Sequence, residues 1–187
     1  MIRILAVVVA LVCAAPALAQ VKLSAGLDPQ NTILLDTKYG RVIIKLRNDV
    51  APQHAERIKQ LARDGFYNNV PFHRVIPGFM AQTGDGQYGN GTGGSKYPDL
   101  KAEFSNVPFV RGVVGMARTD NPNSANSQFF IMFTEYPSLN GKYTVVGQVV
   151  SGMAAIDKIK KGTEETNGAV TDPDKILKMQ VAADTKQ

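Results

Sequence analysis

The chain has 187 residues, a formal net charge of +5, one cysteine and no tryptophan. That length suits one domain with a full hydrophobic core and is short for two, and the modest, dispersed positive charge supplies no basic patch for nucleic acid or an acidic membrane surface. With Cys13 as its sole cysteine the chain has no internal disulfide, so its core must hold the fold unaided.

Arg3 precedes an apolar run over residues 4–19 that ends in Ala17-Leu18-Ala19, a small-x-small pattern. The run reads as a secretory signal, residues 1–19, that is cleaved. As a membrane anchor it falls short of the roughly 20 residues that span a bilayer. Cys13 follows Val12, where a lipid-attachment signal places a small residue, so lipoprotein anchoring is the minor alternative. Residues 20–30 lack periodicity and form a lead-in, and residues 31–187 are assigned to one domain. Two β-rich runs, Thr32–Thr37 and 41–46, flank Lys38-Tyr39-Gly40, which reads as a hairpin turn. Pro52 then suits a first helical turn, and Ala55, Ile58, Leu61 and Ala62 recur at helical spacing up to Gly65. His54 on this helix is expected to be partly exposed; with only His73 besides, no metal site is expected.

Residues 66–82 read as strand, turn, strand, with the turn at Pro77-Gly78. Glycine dominates residues 84–94. Within them Gly84 to Gly89 matches G-x-G-x-x-G, but a dinucleotide site needs a helix directly afterwards, and further glycines, Lys96 and Pro98 follow instead. A close-packed loop is the reading. Val113–Met116 and residues 129–133 are strand-like, as are 143–150. Ser151 is expected to cap a short helix with Met153, Ile156 and Ile159 on one face, Lys158, Lys160 and Lys161 at its negative end, and Gly162 as its stop. Residues 176–181 make a last strand. Seven or eight short strands and two clear helices argue for a closed or sandwiched antiparallel β domain.

The stretch F-H-R-V-I-P-G-F-M-A-Q-T-G-D at residues 72–85 sets one fixed charge, Arg74, beside apolar surface and an amide, Gln82. It suits an apolar peptide ligand, and it equally suits two buried strands with a solvated arginine at an edge. Taken with N-G-T-G-G at 90–94, S-Q-F-F-I at 127–131 and L-N-G-K-Y-T-V-V-G-Q-V from Leu139, it resembles the cyclophilin family of peptidyl-prolyl cis-trans isomerases over residues 32–182. The resemblance implies a mainly β fold, a closed eight-stranded antiparallel barrel capped by two α-helices, with its ligand on the outer wall because so small a barrel is filled by its own side chains. Together with the signal segment it points to an exported, single-domain bacterial-type member expected in the periplasm, and, with no apolar surface demanding a partner, a monomer is expected. Its partners would be X-Pro-containing polypeptides, with no cofactor, no metal, no nucleic acid and no membrane after signal cleavage.

Carried over position by position, Arg74 matches the family's catalytic arginine, and Gln82 the amide that orients the substrate backbone. Phe79, Met80, Phe130 and Leu139 match the pocket for the proline ring. Ala117 and Arg118 match the strip whose main chain pairs with the peptide, and Gly91 and Gln128 the neighbouring wall. Arg118 replaces an asparagine common in the family, Tyr143 a histidine, and Ser138 the tryptophan of many eukaryotic members, which implies weak cyclosporin binding at most. Two other functions compete. A proline-binding chaperone or interaction module could use the same fold with little turnover. A hydrolase built on His73, Ser127 and Asp85 lacks the G-x-S-x-G elbow.

Overall fold

Short runs of apolar and β-branched residues, several of them buried on both faces, build one antiparallel sheet. The computed structural model describes residues 25–185. Its strands are β1 Thr32–Thr37, β2 Gly40–Leu46, β3 Arg74–Ile76, β4 Met80–Thr83, β5 Val113–Met116, β6 Phe129–Met132, β7 Val145–Ser151 and β8 Lys178–Val181. The helices are α1 Pro52–Arg63 and α2 Met153–Asp157. The segment 1–19 expected to be a signal, and the first half of the expected lead-in, lie outside the described residues.

The strand order is β3-β4-β6-β5-β7-β2-β1-β8. The expected closed barrel is therefore a curled sheet, open between its end strands. β3 has only three residues, and irregular chain after α2 takes its outer edge in place of β8. Val75 N–H donates to the Gly168 carbonyl at 2.7 Å, and Gly162 N–H to the Val75 carbonyl at 2.9 Å. Further along the gap, Phe72 N–H reaches the Asp174 carbonyl at 2.8 Å and Ile176 N–H the Val70 carbonyl at 2.9 Å. Loop backbone thus satisfies groups that a continuous ladder would have paired.

Alternation on β4, β5 and β6 sorts side chains to two faces. Ala81, Val114, Met116, Phe129 and Ile131 join the inner core, which α1 covers with Ala55, Ile58 and Leu61. That interior leaves a void of about 10 Å³, at or below the room one water needs. Met80, Val113, Phe130 and Met132 point the other way and, with Phe109 and Val145, form a second apolar cluster on the outer face. Phe79, Ala117, Leu139 and Tyr143 pack against it. The outer wall consequently carries a hydrophobic surface of its own.

Several local expectations change. Residues 66–73 form turns and irregular chain, not a strand, and the buried Tyr67 anchors them by donating to the Ser127 carbonyl at 2.9 Å. His54 is fully buried instead of partly exposed, because Glu103 reaches across to the start of α1. Its carboxylate accepts from Gln53 N–H at 3.1 Å and His54 N–H at 3.0 Å, and lies 2.6 Å from His54 Nδ1. Glu103 thereby supplies the cap that Ala51, the residue at the N-cap position, cannot. Ser151 ends β7 and caps nothing; Gly152, with φ of 90°, holds the N-cap position of α2. Any side chain at 152 would press on the backbone of Arg41. The helix also stops earlier than Gly162, although Lys161 does return to its end, donating to the Asp157 carbonyl at 2.6 Å.

Candidate active site

The turn at Pro77-Gly78 lets β3 and β4 pair with Arg74 opposite Gln82, and β4 pairs with β6 so that Gln82 lies opposite Phe130. Three strands therefore carry a cation, an amide and an aromatic ring to one spot. The spot is a slot of about 170 Å³ lined by Arg74, Phe79, Met80, Gln82, Ala117, Arg118, Phe130, Leu139 and Tyr143. Met80 and Phe130 are buried at its floor. Phe130 lies over Gly115, where a Cβ would stand only 2.5 Å from the ring. Phe109 supports Phe130 from behind, with ring centroids 5.8 Å apart. At one rim Tyr136, 43 % exposed, leans on Phe79 at 4.4 Å.

Arg74 is held on both edges. Its Nε donates to the Asn167 carbonyl at 3.0 Å, its Nη2 to Asn167 Oδ1 at 2.9 Å and its Nη1 to Gln82 Oε1 at 3.1 Å. A guanidinium carries five N–H groups, so two have no partner among the described residues. Burial lowers the Arg74 pKa from its ordinary value and the nearby Tyr143 opposes this; arginine begins so high that it stays protonated at physiological pH. Gln82, having accepted from Arg74, donates through Nε2 to Gln128 Oε1 at 3.0 Å. Gln128 in turn donates to the carbonyls of Gly91 at 3.0 Å and Gly93 at 2.8 Å. This relay fixes the amide orientations and ties the slot to the glycine-rich loop.

That loop hangs on one carboxylate. Asp85, fully buried, accepts backbone N–H bonds from Gln87, Tyr88, Asn90, Gly91 and Gly93 at 2.9 to 3.1 Å. The loop borders a second cleft of about 280 Å³ that shares Gln82, Ala117 and Arg118 with the slot. Arg118 stacks its guanidinium 4.3 Å above the Tyr143 ring and donates to the carbonyls of Thr119 at 2.7 Å and Lys142 at 3.0 Å. It is thus a strut of the rim as well as a main-chain position. On the adjoining strip, Ala117 N–H is already committed to the Gln128 carbonyl at 2.9 Å.

Every residue proposed for the slot from the sequence lines it, and Gly91 and Gln128 line the adjoining cleft. Ser138 sits exposed in the short 3-10 turn Pro137–Leu139. The hydrolase grouping does not assemble. Ser127 Oγ donates to the Gly84 carbonyl at 2.8 Å, Asp85 is occupied by backbone, and both ring nitrogens of His73 are buried without a hydrogen-bond partner among the described residues. Sequence reasoning missed Asn167, which lies 93 positions from Arg74. Its Asn-Gly pair signals a turn, but nothing local says what that turn faces. The structural work of Asp85 was also missed, since a lone carboxylate beside glycines has no periodic signature.

A sequence model of the family described as cyclophilin type peptidyl-prolyl cis-trans isomerase/CLD matches residues 32–181. A protein of Brucella suis named probable peptidyl-prolyl cis-trans isomerase is 62% identical over 176 residues, covering 89% of this chain and 90% of the relative. A peptidyl-prolyl cis-trans isomerase-like 1 of Aspergillus fumigatus is 39% identical over 153 residues, covering 80% and 94%. Among solved structures, a cyclophilin from Hirschia baltica superposes with TM-score 0.77 at 27% identity, covering 86% of this chain and 77% of that one. A Cryptosporidium parvum cyclophilin-type isomerase, determined in the presence of the dipeptide Ala-Pro, gives TM-score 0.72 at 26% identity, covering 80% and 98%. With its family signature spanning the sheet that builds the slot, the chain belongs to the cyclophilin-type peptidyl-prolyl cis-trans isomerases.

Proposed function

We propose that the protein speeds rotation about X-Pro bonds in exported polypeptides, with Arg74 donating a hydrogen bond to the prolyl nitrogen as the bond twists. Amide resonance sets a barrier of about 18–20 kcal/mol. In the twisted state the imide nitrogen leaves conjugation, and its lone pair can accept a bond that the planar ground state does not use. A donor placed there binds the transition state selectively. No covalent bond breaks, so no cofactor is called for, and chelators are expected to leave the rate intact.

Magnitudes divide the labour. Five decades of acceleration correspond to about 7 kcal/mol, whereas one hydrogen bond to a charged donor is worth about 1.5–3 kcal/mol. The remainder falls to the slot. Phe79, Met80, Phe130 and Leu139 would hold the ring while Gln82 and the main chain at Arg118 restrain the flanks, so that rotation is the motion left. Water excluded by the same aromatics strengthens the arginine's effect. The observation that carries this reading is a clamped guanidinium, with two N–H groups unpartnered among the described residues, on the wall of a slot that also holds Phe79, Met80, Phe130 and Leu139.

The decisive experiment is catalysis of a proline-limited refolding reaction by the processed protein and by Arg74→Ala. We expect the substitution to lower kcat/KM about a hundredfold, or roughly 3 kcal/mol. Binding of X-Pro peptides without turnover in both proteins would favour the interaction-module reading instead. The apolar run at residues 4–19 supports export to the periplasm, and the N-terminal mass of the periplasmic protein tests it. The exposed Ser138 supports feeble cyclosporin binding.

A further inference from the structure

The side of Arg74 facing away from the sheet is gripped by a single residue. Asn167 accepts from Nε with its carbonyl and from Nη2 with its side-chain oxygen, at 3.0 and 2.9 Å. Both acceptors address one edge of the guanidinium because Asn167 adopts a left-handed conformation, φ 51°, which asparagine tolerates better than most residues. The turn is built to keep it there. Asn167 N–H donates to the Glu164 carbonyl at 2.9 Å and Gly168 N–H to the Thr163 carbonyl at 2.8 Å. The next carbonyl, that of Gly168, accepts from Val75, the neighbour of Arg74 on β3, at 2.7 Å. Gly168 packs so closely on Ile76 and the Val75 backbone that it has no room for a side chain. The grip and the strand bearing the arginine are thus locked in register at the sheet's open edge.

We propose that Asn167 is a positioning residue for the isomerase reaction: it fixes the plane of the Arg74 guanidinium so that the two unused N–H groups point into the slot. The proposal rests on the reading that Arg74 acts on the prolyl nitrogen. Gln82 alone would hold Nη1 and leave the long side chain free to swing about that contact. Asn167 does not itself line the slot and is hydrogen-bonded to one lining residue, Arg74, so its effect passes through the arginine and appears in kcat, whereas the ring contacts that set KM are unchanged.

The test compares wild type, Asn167→Gly, Asn167→Asp, Arg74→Ala and the Asn167→Gly/Arg74→Ala double variant on an X-Pro peptide. Glycine keeps the left-handed backbone and the carbonyl but removes Oδ1; aspartate keeps an acceptor. We expect Asn167→Gly to lose about three- to tenfold in kcat with KM within about twofold, and Asn167→Asp to retain most of the rate. Adding Asn167→Gly to Arg74→Ala should cost nothing further, since a residue acting only through the arginine is silent once it is gone. In solution NMR the Arg74 Nε–H signal, identified by its loss in Arg74→Ala, should be sharp in wild type and exchange-broadened in Asn167→Gly. An unchanged kcat in Asn167→Gly while Arg74→Ala is impaired, an additive loss in the double variant, or an equally sharp Nε–H signal overturns the positioning role alone. An inactive wild type, or a fully active Arg74→Ala, overturns the reading of Arg74 and the positioning role with it.

Discussion

Replacing Asp85 by asparagine tests how the glycine-rich wall is held. Burial alone would raise the Asp85 pKa, and the N–H bonds from Tyr88, Gly93, Gly91 and Asn90 more than reverse it, leaving it at about 2 against an ordinary 3.8. At about 1.4 kcal/mol per unit, the ionised carboxylate stabilises the fold by roughly 2.5 kcal/mol. The sign follows from proton linkage. Because the folded value is depressed, the unfolded chain binds the proton first, so the contribution is complete above pH 4 and is lost as pH falls from about 3.8 to 2. Asp85→Asn, being uncharged at every pH, should be destabilised by about that amount at pH 7, or roughly 5–10 °C in melting temperature for a domain of this size. Its amide must also turn one donor toward the loop's N–H groups. The assay is urea unfolding of both proteins at pH 7, 4 and 2. The gap in midpoint should narrow sharply between the last two. A gap of equal size at all three values would refute the carboxylate account and leave only a packing defect.

Three further outcomes are expected. Glu103→Ala frees two backbone donors at the start of α1 and the partner of His54; a loss of about 1–3 kcal/mol in unfolding free energy is expected, and an unaltered midpoint would remove Glu103 as the helix cap. Gly115→Ala sets a methyl 2.5 Å from Phe130 and 2.6 Å from Phe109. The overpacking should cost about 1–3 kcal/mol and drive the Phe130 ring into the slot, so NMR titration with an Ala-Pro dipeptide should show weaker binding; equal affinity would mean the ring escapes elsewhere. Burial lowers the pKa values of both His54 and His73, with Glu103 and Asp85 respectively opposing it. Unfolded histidine titrates near 6.5, so stability should fall as pH drops from 7 to 5 while the isomerase rate stays flat between about pH 6 and 8.5. A rate that falls with the histidines would tell against a permanently charged arginine.

What could be read along the chain followed from short-range pattern. Runs of apolar and β-branched residues marked Thr32–Thr37, Val113–Met116 and the strand at Phe130, and the spacing of Ala55, Ile58 and Leu61 marked α1, because each signal lies within a few neighbouring residues. Local rules misled where a distant group decided. Ser151 has a capping side chain, yet contact with Arg41 makes Gly152 the first residue of the turn into α2. His54 looks like a surface position until Glu103 arrives from a loop and buries it.

Most strand and helix segments and the family signature could be read from the chain alone, since they are written in neighbouring residues, and the resemblance that the signature carries named the side chains that meet at the slot. Tertiary structure alone decided that the sheet stays open between β3 and β8, that Asn167 grips Arg74 from the chain filling that opening, and that Asp85 gathers the glycine loop. Each of these depends on hydrogen bonds made by backbone groups or bent loops, and a backbone N–H or carbonyl is the same in every sequence. Which one it finds is settled only when the whole chain has packed.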